Sequence, residues 1–164
     1  MDIKYEGLWT LRCYDKKGNL KWEDVDLHNA LADEGEQNML DQYFRNQNAP
    51  STFYARLCND TPIETDALSD IQNEPSGMGY SAQEIERSAV GFPTLALDSG
   101  DYQLTSKQVT FECTGSGNSY TVTYAYLATT SNDTGKLVAF VALSQSRTLN
   151  TGDNLKLTVK IKLQ

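Results

Sequence analysis

Glu74-Pro75-Ser76-Gly77-Met78-Gly79-Tyr80 is the stretch of this chain that most resembles a ligand-binding loop. Glycine loops bind phosphate through backbone N–H groups. A P-loop reads GxxxxGK(S/T), and a dinucleotide loop reads GxGxxG between a strand and a helix. Here Ser81-Ala82-Gln83-Glu84 follows, with neither the lysine nor the third glycine, and the sequence turns strand-like rather than helical. Both motif and context exclude a phosphate loop. Pro75 fixes one φ, Gly77 and Gly79 permit positive φ, and Tyr80 carries an aromatic face with a polar tip. The stretch is predicted to be a shaped bend anchored by Tyr80.

Other reactive groups are sparse. Serine or cysteine nucleophiles need a base, and the one histidine, His28, falls between Leu27 and Asn29, where a solvent-facing or capping role is expected. Cys13, Cys58 and Cys113 lie far apart in apolar or strand-like runs, without a CxxC pair, and read as reduced packing thiols. Asp66, Asp70 and Glu74 cluster without the DxDxDG pattern of a calcium loop. An acidic turn or 3₁₀ segment with Leu68 and Ile71 inward is expected there. No catalytic, cofactor or metal set is expected, and an opposed carboxylate pair of glycosidase type has no support.

The elements that would position these residues are mostly strands. The chain has 164 residues, the size of one domain, with 39% hydrophobic and 22% charged residues. One domain over 1–164 is expected: a hairpin or arm at 1–28, a helix and its exit at 29–50, and a β core at 51–164. Net charge is −8 with 14 basic residues, which disfavours nucleic acid and anionic membranes. No stretch approaches the ~20 apolar residues of a membrane helix. The N-terminus lacks a signal-type apolar core, so synthesis in a cytoplasm is expected.

In Gly7–Tyr14, Trp9, Leu11 and Cys13 share a face. The return strand from Leu20 places Leu20 and Trp22 in one phase, then Val25 and Leu27 in another, the mark of a bulge or of the strand's end. A helix near residues 29–45 would open at Asn29 and bury a stripe of Leu31, Met39, Leu40, Tyr43 and Phe44, with Gly35 allowing close approach to a strand. Strands are expected at Phe53–Cys58, Arg87–Val90, Tyr102–Leu104, Gln108–Cys113, Tyr120–Leu127, Leu137–Leu143 and Asn154–Leu163. In the last, Leu155, Leu157, Val159, Ile161 and Leu163 would face inward. Eight or nine strands and one helix make an antiparallel β-sandwich of jelly-roll-like character.

The order of features resembles short tailed-bacteriophage virion structural proteins. It is carried by Asn29-Ala30-Leu31 through Gly35 to Phe44-Arg45, by Phe53-Tyr54-Ala55-Arg56-Leu57, and by Glu74, Gly77, Gly79 and Tyr80, over about residues 27–90. Such proteins more often read Gly-Tyr-Ala-Arg where this chain has Gly79-Tyr80-Ser81-Ala82. The resemblance implies a non-enzymatic capsid cement or decoration protein. It would be synthesised in the host cytoplasm, located on the capsid surface of the virion, homotrimeric, and bridging copies of the major capsid protein. Trp9, Trp22, Tyr80, Tyr120, Tyr124 and Tyr126 are the candidate interface anchors, with core packing as the alternative for each. The second reading is a carbohydrate- or receptor-binding module of a head fibre or tail. A hydrolase ranks below both.

Overall fold

A computed structural model describes residues 4–163. Eleven strands form two antiparallel sheets, with one α-helix among the described residues. The strands are β1 (Tyr5–Tyr14), β2 (Leu20–His28), β3 (Ala30–Leu31), β4 (Thr52–Cys58), β5 (Gln83–Glu86), β6 (Thr94–Asp98), β7 (Asp101–Thr105), β8 (Val109–Glu112), β9 (Ser119–Ala128), β10 (Leu137–Asn150) and β11 (Asn154–Leu163). Helix α1 spans Asp33–Phe44, and a 3₁₀ turn spans Leu68–Asp70. The first sheet runs β2-β1-β11-β7-β6, with β8 also paired to β11. The second runs β3-β10-β9-β4-β5. The mainly β, antiparallel class with a single helix is as the sequence indicated.

The two sheets differ in burial, and the sequence carries the difference. Strands β1 and β11 alternate because only one face is covered: Trp9, Leu11, Cys13, Leu155, Leu157 and Val159 lie in the core. The second sheet is covered on both faces. A smaller cluster of Cys58, Leu68, Ile71, Tyr126, Leu137 and Phe140 fills its outer side. Its strands therefore lose their alternation, as in Leu137–Val141, where five consecutive residues are buried.

Several boundaries differ from the sequence reading. The strand expected at Arg87–Val90 lies earlier, at β5, and 87–91 is a turn in which the Phe92 N–H bonds the Ser88 carbonyl. Strand β6, between Pro93 and Ser99-Gly100, is additional to the strands expected from the sequence. At the end of β11 the expected phase fails: Leu163 is exposed, whereas Lys162 is buried with Nζ 3.3 Å from Asp98.

The N-terminal hairpin lies in the sheet. Strand β1 pairs with β11 along its whole length, from Tyr5↔Leu163 to Tyr14↔Asn154, so it is an internal strand. The bulge in β2 lies where the pattern slips: register shifts between Trp9↔Leu27 and Leu11↔Asp24, and Asp26 has φ 51°. The bulge turns Asp24 inward. Its carboxylate accepts from the Ser144 hydroxyl at 2.6 Å, the Ser144 N–H at 3.1 Å and Arg147 at 2.6 Å, joining an edge of each sheet.

Glu34 performs the same task at the helix. It accepts from the N–H of Leu137 (2.8 Å) and Leu68 (3.0 Å) and from Lys136 Nζ (3.0 Å). Burial would raise the pKa of Asp24 and Glu34, but these hydrogen bonds outweigh it and hold both carboxyls below their ordinary values. Depressed carboxylates stabilise the fold above the unfolded-state pKa of about 4, and that contribution is lost as pH falls through their folded values. A thermal melt series should therefore be flat near neutrality and decline below about pH 4. The Asp24→Asn variant should be less stable at pH 7 and show a shallower acid decline. An identical acid profile in the two proteins would contradict this assignment.

Candidate functional site

The glycine stretch folds as a bend whose side chains point inward. Gly77, Met78 and Gly79 have φ of 69°, 54° and 82°. At Gly79 a Cβ would meet the Thr114 hydroxyl at 2.5 Å, so the bend sits tight against the strand exit at 114. Tyr80 stacks on Phe111 (centroids 5.8 Å apart) and meets Tyr120 edge-on. Its hydroxyl accepts from the Leu57 N–H at 2.9 Å and donates to Glu74. Burial first, then the Glu74 carboxylate, push the Tyr80 pKa up, so it acts as a donor. The tyrosine anchor is as predicted.

Glu74 is held from its other side by Arg56, which sequence reading did not single out. The Arg56 guanidinium is 3% exposed. It donates Nε to Glu74 at 2.9 Å and a second N–H to the other carboxylate oxygen. It also reaches the Asn132 carbonyl (3.0 Å) and Asp133 (3.1 Å), and lies 5.2 Å from the Tyr126 ring centre. Two loops converge on one cation, and Glu74 links it to the Tyr80 bend. The signal was present: a lone arginine inside the apolar run Ala55-Arg56-Leu57-Cys58 must find a carboxylate.

The six candidate anchors divide by depth. Trp9 and Tyr126 are fully buried and Tyr120 nearly so, all packed within one protomer. Tyr80 is the loop anchor just described. Trp22 is half-buried under Arg147, whose Cζ lies 4.6 Å from its ring centre. Tyr124 is half-buried against the outer cluster. None of the six forms an exposed aromatic surface.

The reactive groups are similarly placed. His28 is solvent-facing with Nδ1 3.2 Å from Glu6. All three cysteines are free and buried. Burial pushes the thiol of Cys13 up to about 11 and that of Cys58 up to about 12, which keeps both protonated at neutral pH. Leu68 and Ile71 point inward from the 3₁₀ turn as expected.

Exposed apolar surface collects elsewhere. Helix α1 begins at Asp33, with Ala32 rather than Asn29 in the capping position, since Ala30–Leu31 pair with β10 as strand β3, and Ala32 offers no side-chain cap. Its orientation is the reverse of the predicted one. The buried stripe is Gly35, Asn38 and Asp41, while Met39, Leu40, Tyr43 and Phe44 are exposed, Tyr43 by 84%. Gly35 decides this: a Cβ there would lie 2.1 Å from the Val138 carbonyl oxygen, so only glycine lets this face approach β10. Asn38 then donates to the Asn48 carbonyl at 3.0 Å, and Asp41 accepts from Arg45 at 2.8 Å and Asn48 at 3.0 Å, fastening the helix to its own exit.

Beside the helix, the β6–β7 hairpin extends the first sheet past the second. Leu95, Leu97 and Tyr102 are exposed, each by more than 60%. Leu95 pairs with Leu104, and Leu104 with Ile161, so they share the core-facing side of the sheet. Between this overhang and α1 opens a groove of about 770 Å³ bordered by Met39, Phe53, Phe92, Leu95, Leu104 and Ile161. Exposed apolar groups gathered around a groove in this way generally mark contact sites.

No helix among the described residues is long and apolar enough to cross a membrane. A search of curated proteins finds no match. Residues 30–162, which run from β3 through most of β11, match the family described as podophage GP4 fiber I protein gp80. That span takes in the helix, the Tyr80 bend and the overhang, and the chain belongs to this family of phage virion structural proteins.

Proposed function

We propose that this chain is a structural subunit of a phage fibre, working by packing against neighbouring virion proteins. The observation that carries this reading is the exposed apolar surface of α1, of the groove and of the β6–β7 overhang. A covered surface of this kind is stable, whereas a solvated one costs solubility. Family membership supports a fibre over the capsid-cement role suggested by the resemblance, since the family is described by a fibre protein. The burial of Trp9, Tyr120 and Tyr126 also moves the contact surface from the aromatic strands to the helix and the sheet edge.

Gold-labelled antibody against this chain, applied to intact virions and viewed by electron microscopy, tests the reading. Label along appendages is expected. Label over the head would instead support a cement protein seated on the major capsid protein, and unlabelled virions would overturn both.

A further inference from the structure

Strand β6 ends the first sheet, and its outer edge carries unpaired backbone groups. All five of its residues, Thr94-Leu95-Ala96-Leu97-Asp98, are exposed. Natural edges are usually protected by inward-pointing charges, prolines or short length. Here the two inward positions are Leu95 and Leu97, and the preceding Pro93 lies outside the strand. The edge is built to be covered.

We propose that it is covered by a second copy of this chain, with β6 pairing antiparallel to β6 of the partner about a two-fold axis through Ala96. The inference rests on the assembly reading above and names the partner. In that register Leu95 faces the partner's Leu97, Ala96 faces its own counterpart, and Thr94 faces the partner's Asp98. No like charges oppose one another, which matters in a chain of net charge −8. The strand's one acid, Asp98, already has Lys162 Nζ at 3.3 Å, so the edge approaches its copy with its charge compensated.

Edge and groove lie on one patch, since Met39 of α1 and Leu95 of β6 border the same groove. A single self-complementary patch closes by a two-fold, whereas a knob and a socket on separate surfaces would build rings or filaments. Antiparallel pairing keeps the core-facing sides of both sheets on the same side. The two grooves then border one continuous surface. Leu95, Leu97 and Tyr102, each more than 60% exposed in the protomer, are the apolar side chains that this pairing covers.

Size exclusion with light scattering on the full chain should give a dimer at micromolar concentration. The L95K/L97K variant should give half that mass with an unchanged circular dichroism spectrum, because both leucines are exposed in the protomer. The Ala96→Cys variant provides a second test. Opposed residues of an antiparallel pair have Cα atoms about 4.5–5.5 Å apart, within disulfide reach, and the three native cysteines are buried. Mild oxidation should therefore link this variant into a covalent dimer. A trimer in which the Ala96→Cys variant forms no covalent dimer, or an oligomer that survives L95K/L97K, would overturn the two-fold while leaving the fibre reading intact. A monomer that does not cross-link would also overturn it, and virion labelling would then decide the fibre reading independently.

Discussion

Replacing Arg56 with methionine is expected to lower the unfolding free energy by about 3–5 kcal/mol, the cost of breaking a buried ion pair from one side. The guanidinium makes four hydrogen bonds to two loops, and its loss strands the Glu74 carboxylate between Tyr80 and the apolar wall of the sheet. Glu74 keeps 23% of its side chain exposed, so water recovers part of the loss and the lower end of the range is expected. Urea unfolding followed by tryptophan fluorescence reads the change as a shifted midpoint at unchanged slope. Removing both charges, with Arg56→Met and Glu74→Gln together, should recover a substantial part of the deficit, because no unpaired charge remains. A single variant within about 1 kcal/mol of the native protein would show that the cluster is not what fixes the Tyr80 bend.

A comparable loss is expected at Trp9, for a different reason. Trp9 is fully buried at the centre of β1, paired with Val159 on one side and Leu27 on the other. Truncation to alanine removes the ring and leaves a cavity among neighbours that relax only partly, a cost of about 3–5 kcal/mol. The expected signature is a lower melting temperature with self-association at a given concentration unchanged from the native protein. An interface tryptophan would behave oppositely, with little change in the protomer's own stability and a concentration-dependent loss of association. The experiment therefore separates the two roles considered for this residue, and weakened association with unchanged protomer stability would return Trp9 to the interface.

Where one periodicity governed an element, the sequence was sufficient. Alternation placed Trp9, Leu11 and Cys13 on one face of β1, and Leu155, Leu157 and Val159 on one face of β11. The phase slip after Trp22 marked either a bulge or the strand's end, of which the structure has the bulge at Asp26, and Gly77, Gly79 and Tyr80 announced an anchored bend. These are local facts, fixed by the pleat and by allowed backbone angles. Gly35 was likewise readable as a point of close approach.

The direction in which α1 faces was not readable. Its apolar stripe and its small, polar stripe are both legitimate helical faces, and hydrophobicity alone favours burying Met39, Leu40, Tyr43 and Phe44. The structure buries the other, because the backbone of Val138 can approach only at a glycine, and Asn38 and Asp41 find partners in the helix exit at Asn48 and Arg45. The same holds for Arg56 and Lys162, buried cations whose carboxylates come from distant segments. The sequence thus determined the class of fold and the core faces of its half-covered strands. Only tertiary packing decided which apolar groups stay outside, because that depends on which backbones can touch and which charges meet across the chain. The candidate assembly surface is made of the residues left out by that choice.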